Sequence, residues 1–575
     1  MLVQFDILAV IVLFMKKILL LLLVSSSLFS QSEYPQDYFR NPLDITLVLS
    51  GTFAELRSAH FHSGLDIKTQ RKVGLKVYAA AEGYVSRIKI SHYGYGKALY
   101  VTHPNGYTTV YAHLQKFSDR IEKYIKECQY EKESYEVEVF PSTEELLVAP
   151  NEVIAYSGNT GGSGGPHLHF EIRDNQERPI NPMMFGIDIK DSKRPFVSAV
   201  YAYPKDENAV INGKNERVPL RLIPQQNGDY EVEKITAYGN IGFGVTSYDK
   251  QDLAPNNNGV SNIQTFFNGN KSLEIDFKRF SFDETKHIKR LIDYEYFKTK
   301  KSRIQKLFIE ENNPLSLYKD AYDNGYINVE DSTSSVYKAR IRDYKGNETW
   351  VNIPIRGKYE TLKPLENDFS NKTTIYSDQA TELKSGLITV NFYKNTVYED
   401  VDIDFSVSSD TLHLHEDKIP LQKNFYINYD LSNYKTEHLD KIFIAKLYGY
   451  YKRPSYVSTK RKGNVLSAGS KNFGTYTLAM DTVAPTISPV NFKDKKWLSK
   501  YRYLKVKIDD DLSGISKYRA TVNGKWILME YDYKTKMLVH DFNDNIVKDT
   551  KNDLKIIVTD NVGNSSTFEA TFFRK

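Results

Sequence analysis

The chain has 575 residues, 41% of them apolar and 26% charged, with a formal net charge of +5; that is ordinary globular chemistry spread over too much length for one core, and about 150 residues per domain gives roughly four units. So small a charge excess makes no electrostatic case for a nucleic-acid partner, and the 42 tyrosines favour strand surfaces over helices. The single cysteine, Cys128, excludes an intrachain disulfide, so an exported chain of this kind must be held by its cores or by metal.

At the N-terminus, Met15-Lys16-Lys17 precedes an apolar run at 18–24 and a small-residue stretch at 25–30. Basic, apolar and small-residue segments in that order predict a secretory signal peptide over 1–31, with Met15 as an alternative start. Lys16 and Lys17 split the apolar run, and neither piece reaches the ~18 residues that a spanning helix needs. The expected product is exported, to the periplasm or cell surface, with no transmembrane span after cleavage. Cys128 lies too far downstream to carry a lipid anchor, which leaves room for an envelope protein partner that holds the chain in place.

Residues 32–190 are rich in turns and histidine. Short β-prone runs at 76–79, 98–102 and 108–113 are bounded by Gly74, Gly83, Gly94, Gly96 and Gly106. A charged stretch, Asp119 to Tyr135, interrupts them and reads as helical or loop-like. From about 195 the pattern changes to long alternating strands and polar turns. There, a strand ending in Asp343-Tyr-Lys-Gly346-Asn347 resembles one ending in Asp560-Asn-Val-Gly563-Asn564, each a tight turn that needs Gly or Asn at positive φ. The repeat predicts two related sandwich modules, 191–360 and 484–575, around a different β-rich module, 361–483, with Asp481-Thr-Val-Ala-Pro485 as the linker into the last. It resembles the immunoglobulin-like modules of bacterial surface proteins.

The chemistry-bearing residues are His62-Ser-Gly-Leu-Asp66, Tyr111-Ala-His113, a Gly-rich run at 158–166, and His167-Leu-His169-Phe-Glu171 directly after it. In a strand, residues i and i+2 share a face, so His167 and His169 project to one side about 7 Å apart. That spacing lets one bind metal while the other faces substrate. His62, Asp66 and His169 form a set of two imidazoles and one carboxylate, which suits zinc and leaves a fourth position for water. Zinc lowers the pKa of that water toward ~7, and His113 and His167 remain for proton transfer and oxyanion stabilisation. Strand alternation would put Thr109, Tyr111 and His113 on one face, with His113 toward the metal. The glycine run is expected to be a flexible wall that lets an extended peptide approach closely. His60, His92 and His103 have no partner at useful spacing and are read as structural. Glu171 shares a face with His169, as a hydrogen-bond partner or a solvated group.

Taken together in this order, the segment from His62 to Glu171 resembles the lysostaphin-type, or LytM-domain, zinc peptidases. The resemblance implies one zinc per chain held by His62, Asp66 and His169, with His113 and His167 as the catalytic pair. It implies a mainly β fold: an antiparallel sheet with a substrate groove in the peptidase domain, ahead of the β-sandwich modules. The implied activity is hydrolysis of peptidoglycan stem peptides or cross-links, by attack of zinc-bound water. The stretch from Leu114 to Gly158 is longer than the core of that family needs, so 119–145 is expected to be an insertion beside the groove, placed to gate access or set specificity. The alternative is a non-catalytic protein that binds peptidoglycan or activates an amidase; all five positions are filled, which favours the enzyme.

Overall fold

The computed structural model describes residues 33–361 and 372–575, so the expected signal peptide lies outside the described residues. Among the described residues no helix is long and apolar enough to cross a membrane. The architecture is mainly β.

The histidine-rich region is built on one mixed-length antiparallel sheet. Its main strands are β1 (Leu49–Gly51), β2 (Leu65–Lys68), β3 (Gly83–Ile90), β4 (Lys97–Thr102), β5 (Thr108–Ala112), β6 (Val137–Val139) and β7 (His167–Arg173), in the spatial order β1-β2-β7-β5-β4-β3-β6. β7 lies inside the sheet, with Phe170 facing Leu65 of β2 and Tyr111 of β5. The two-residue period of β7 divides it cleanly. Leu168, Phe170 and Ile172 are fully buried in the core with Leu65, Ile67, Leu99, Val101 and Tyr111, and burial of side chains this size is worth about 1.5–3 kcal/mol each. His167, His169, Glu171 and Arg173 occupy the other face, where His169 is flanked by Asp66 and Ala112. Core packing on one face thereby fixes the register of the chemistry on the other.

The charged stretch after His113 forms a helix, α1 (Asp119–Glu131), and then β6, which pairs with β3 at the edge of the sheet away from His169. Its strand β6 thus extends the sheet.

The region from 196 to 357 forms one connected 13-stranded sheet. Its long strand Ile235–Tyr248 runs parallel to Glu348–Gly357 at its start and antiparallel to Phe196–Pro204 farther on, which ties two layers together. This region shares a continuous hydrophobic cluster with the histidine-rich sheet. Residues 372–480 carry a six-stranded and a five-stranded sheet around a second core, and residues 486–573 a four-stranded and a five-stranded sheet around a third. The two Asp-x-x-Gly-Asn turns close the hairpins Ser334–Arg342/Glu348–Gly357 and Lys551–Asp560/Ser565–Phe573, with Gly346 at φ 88° and Gly563 at φ 86°.

His103, read as structural, is buried, with Nδ1 2.7 Å from the Glu82 carbonyl and Nε2 2.8 Å from Thr109 Oγ1. Burial pushes its pKa from the ordinary 6.5 down to about 4. The folded chain keeps it neutral while the unfolded chain protonates it below 6.5, so unfolding takes up a proton in between. Its contribution to stability is present above pH 6.5 and lost as the pH falls toward 4. Denaturant midpoints measured across that window are expected to fall, and less steeply in His103→Gln.

Candidate metal centre

His62, Asp66 and His169 come from three places in the chain and converge on one point. His62 precedes β2, Asp66 is the second residue of β2, and His169 is the third residue of β7, directly across from Asp66. His62 Nε2 lies 3.0 Å from Asp66 Oδ1 and 3.1 Å from His169 Nδ1, and His169 Nδ1 lies 2.9 Å from Asp66 Oδ1. The three residues could hold one metal ion. The far nitrogen of each imidazole is already anchored: His62 Nδ1 donates to the Thr52 carbonyl at 2.7 Å, and His169 Nε2 to Glu171 Oε1 at 2.7 Å. Those bonds set the tautomers, leaving His62 Nε2 and His169 Nδ1 to face the shared centre.

Glu171 is fully buried and is therefore not a solvated group. It accepts from Ser63 Oγ at 2.6 Å, from Tyr95 Oη, and through its other oxygen from Arg173 Nε at 2.6 Å. Desolvation alone would raise its pKa, but Arg173 and His169 hold it far below the carboxylate range. The Tyr95 ring stacks on His169 with centroids 5.2 Å apart. Arg57 Nη2 reaches Asp66 Oδ2 at 3.1 Å. Burial would raise Asp66 too; the charge of His62 and hydrogen bonds from His167, His169 and His62 outweigh it and keep the carboxylate ionised. Burial opposes a charge on His169, yet the bonds to Asp66 and Glu171 raise it to about 9.

His113 reaches the same centre by a route that alternation does not describe. Cross-strand register puts Ala112, not Tyr111, on the face of His169, so an extended His113 would follow Tyr111 into the core. β5 ends at Ala112, and His113 adopts φ 58°, which turns its side chain back toward the site. Its Nδ1 lies 2.9 Å from the Thr160 carbonyl. Its ring centroid is 4.7 Å from that of His167 and 5.9 Å from that of His169. Burial, then the like charges of His169 and His167, push His113 down to about 3. His167 Nδ1 lies 2.8 Å from the Gly165 carbonyl, and Nε2 lies 3.4 Å from Asp66 Oδ1.

The glycine run divides into two parts. A Cβ on Gly161 (φ 68°) would sit 2.3 Å from Gly96 N and 2.4 Å from Gly94 O, so this part is packed backbone to backbone. Around Gly164 and Gly165 an added Cβ meets nothing within 4 Å. Only the second part is an open wall. The packed part is braced by residues from the far end of the chain: Lys534 Nζ donates to the carbonyls of Asn159 at 2.5 Å and Ser163 at 3.2 Å, and the Tyr533 ring packs at a tilt against Tyr93 with centroids 4.7 Å apart. The same C-terminal module pairs Glu530 with Lys97 at 2.9 Å and sets Trp526 against Tyr130 of α1.

Residues 60–130 and 138–182 match the family model for peptidase family M23, and these segments contain all five predicted residues. The chain carries an M23 peptidase domain. The match is broken only between 130 and 138, at the end of α1 and the turn into β6. Residues 372–481 match the model for a Zu5-like domain. Among curated proteins, the chain is 30% identical over 156 residues to the DD-carboxypeptidase/endopeptidase Mpg of Neisseria meningitidis serogroup B, covering 27% of this chain and 30% of that one. It is 29% identical over 166 residues to the peptidoglycan DD-endopeptidase ShyA of Vibrio cholerae, covering 29% of this chain and 30% of the relative. These matches thus span under a third of each relative's length. Among solved structures, a zinc-containing peptidase from Vibrio cholerae aligns at 25% identity over 26% of this chain and 40% of that one, TM-score 0.19. The lysostaphin catalytic domain from Staphylococcus simulans aligns at 24% identity over 26% of this chain and 91% of that one, TM-score 0.17.

Of the residues around the M23 centre, Thr52, Arg57, Ser63, Tyr95 and Arg173 were not singled out from sequence. Arg173 had a readable signal, since it continues the His167, His169, Glu171 face of β7. Tyr95 had only its flanking glycines, and Thr52 acts through its backbone carbonyl.

Proposed function

We propose that this protein is an exported zinc metalloendopeptidase that hydrolyses peptide bonds in peptidoglycan stem peptides or cross-links. The observation that carries the reading is the convergence of His62 Nε2, Asp66 Oδ1 and His169 Nδ1 at separations of 2.9–3.1 Å, beside the imidazoles of His113 and His167. Two nitrogens and one oxygen are a donor set that fits zinc, and three protein donors are the number found in catalytic sites. The M23 match supports peptidase chemistry, and a relative named as a peptidoglycan DD-endopeptidase supports the substrate class. Such a substrate lies outside the cytoplasmic membrane, which agrees with the signal-peptide reading of residues 1–31.

Bound there, zinc would supply Lewis acidity toward the scissile carbonyl and acidify water. The remaining work falls to the chain. Thr52 and Glu171 orient the two imidazole donors. His113 is placed to take up a proton through Nε2, because its Nδ1 is committed to Thr160. His167, across from it, steadies the tetrahedral intermediate. The open side at Gly164 and Gly165 admits an extended peptide.

The test is digestion of purified peptidoglycan by the zinc-loaded chain, with products read by mass spectrometry. New peptide ends that vanish on chelation and return with zinc are expected. An unchanged substrate in the presence of zinc would hand the protein to the wall-binding or amidase-activating alternative. The brace on the glycine wall gives a smaller effect. Lys534→Ala removes two hydrogen bonds from the packed half of the wall, about 1 kcal/mol of positioning or roughly fivefold in kcat/KM, with zinc content unchanged. Equal kcat/KM in the two proteins would remove the brace from the mechanism.

A further inference from the structure

The repeated Asp-x-x-Gly-Asn turns do more than close hairpins. Asp343, which opens the first, lies with Asp191 and Asp249 so that one carboxylate oxygen from each falls within 4.8 Å of the others; Asp560, which opens the second, lies in the same way with Asp481 and Asp510. The two triads occupy equivalent places. Asp191 and Asp481 precede the strands Phe196–Pro204 and Thr486–Pro489. Asp249 and Asp510 follow Ile235–Tyr248 and Tyr503–Asp509, the antiparallel partners of those strands, with Phe196 facing Tyr248 and Thr486 facing Asp509. In both turns the third aspartate is held by the asparagine: Asn347 N and Nδ2 donate to Asp343 at 2.9 and 2.7 Å, and Asn564 N and Nδ2 to Asp560 at 2.8 and 2.7 Å.

The first triad has a feature that points to a ligand. Asp191 and Asp249 line a cavity of about 20 Å³ with Gln251, Thr52, Ser261 and Tyr344, room for a single ion or water. Gln251 is only 4% exposed, and its Oε1 has no hydrogen-bond partner; Asp249, 2% exposed, likewise has an unpartnered Oδ1. A buried amide oxygen and a buried carboxylate oxygen, both without donors, border one small space. Lys345, which also lines it, is instead paired with Asp188 at 2.9 Å. Unpaired buried acceptors are costly, and more so when charged, so a cation between them would relieve a substantial penalty.

We propose that Asp191, Asp249, Asp343 and Gln251 form a calcium site that fastens the segment leaving the peptidase sheet to the first β-module. The donors are all oxygen, which selects a hard cation over zinc, and the 4.8 Å limit on their spacing is twice a Ca–O bond of about 2.4 Å. The site is independent of the M23 centre, which offers nitrogen donors. Gln251 adds a fourth oxygen to this triad.

Calorimetry with CaCl2 on zinc-loaded, calcium-stripped full chain tests it, with Asp249→Asn and Asp343→Asn as near-isosteric variants. Wild type is expected to bind Ca2+ and to melt at a higher temperature with it. Each variant is expected to lose one bound Ca2+ per chain, or to bind it more than ~10-fold more weakly, while keeping its zinc. Wild type that shows neither heat nor a melting shift with Ca2+, or variants that bind as much Ca2+ as wild type, would overturn the proposal and leave Asp249 sharing a proton with Asp191. Should a variant fail to fold, Gln251→Ala, which touches the cavity of this triad and leaves Asp481, Asp510 and Asp560 intact, is expected to show the same loss, and Ca2+ binding equal to wild type there would overturn the proposal.

Discussion

Asp66→Ala is expected to leave a chain that purifies without zinc and releases no peptide from peptidoglycan. Asp66 is the hub of the centre. Its Oδ1 lies within 3.0 Å of both His62 and His169 and 3.4 Å from His167, and its Oδ2 takes Arg57 at 3.1 Å. Removing the carboxylate deletes one of three donors and leaves the positive groups around it uncompensated. Loss of one partner from a buried charge cluster costs about 3–5 kcal/mol, so the metal-free variant should also melt below metal-free wild type. Asp66→Asn separates the two effects. It keeps the shape and one oxygen acceptor, so the fold should survive while metal affinity falls. Zinc measured by atomic absorption, beside a melting curve, reads both. Full zinc in a folded Asp66→Ala chain would exclude Asp66 from the donor set.

How much of this centre could be read from sequence follows from what each residue depends on. His167 and His169 depend on the period of one strand, and the structure keeps that period through Glu171 and Arg173. Asp66 and His62 depend on a short local segment. His113 does not obey alternation: the register of β5 would bury it, and a single left-handed residue redirects it. Alternation therefore points His113 to the right face for a geometric reason that the structure does not use. Tyr95 and Ser63 reach Glu171 through tertiary folding alone, and no spacing announces them. The glycine run reads as uniformly flexible, yet Gly161 is locked against Gly94 and Gly96. The bracing residues Tyr533 and Lys534 lie at the other end of the chain, and pairing over that distance is set by how the modules pack. The charged stretch after His113 reads as an insertion because it breaks the strand pattern; in space α1 is a docking face for the C-terminal module and β6 a further strand of the sheet.

His113→Ala and His167→Ala are expected to retain zinc and lose turnover, and the pair distinguishes ligands from catalytic groups. Neither imidazole is anchored as the metal donors are. His62 and His169 use Thr52 and Glu171 to aim one nitrogen each at the shared centre, whereas His113 and His167 bond to carbonyls of the glycine wall, Thr160 and Gly165, so both move with the substrate side of the groove. Loss of a positioned proton acceptor costs ~10²–10⁴-fold in rate, and loss of a group that steadies the intermediate is of similar size, about 10²–10³-fold. Each variant should therefore fall by at least ~10²-fold in kcat with KM little changed, because the interaction is made mainly in the transition state. The double variant should fall by less than the product of the two, since the groups lie in contact and act on one event. His167 is the sharper case, because its Nε2 is already 3.4 Å from Asp66 Oδ1. Zinc loss from His167→Ala, with zinc retained by His169→Ala, would exchange the roles of the two histidines on β7 and put the donor at the mouth of the groove.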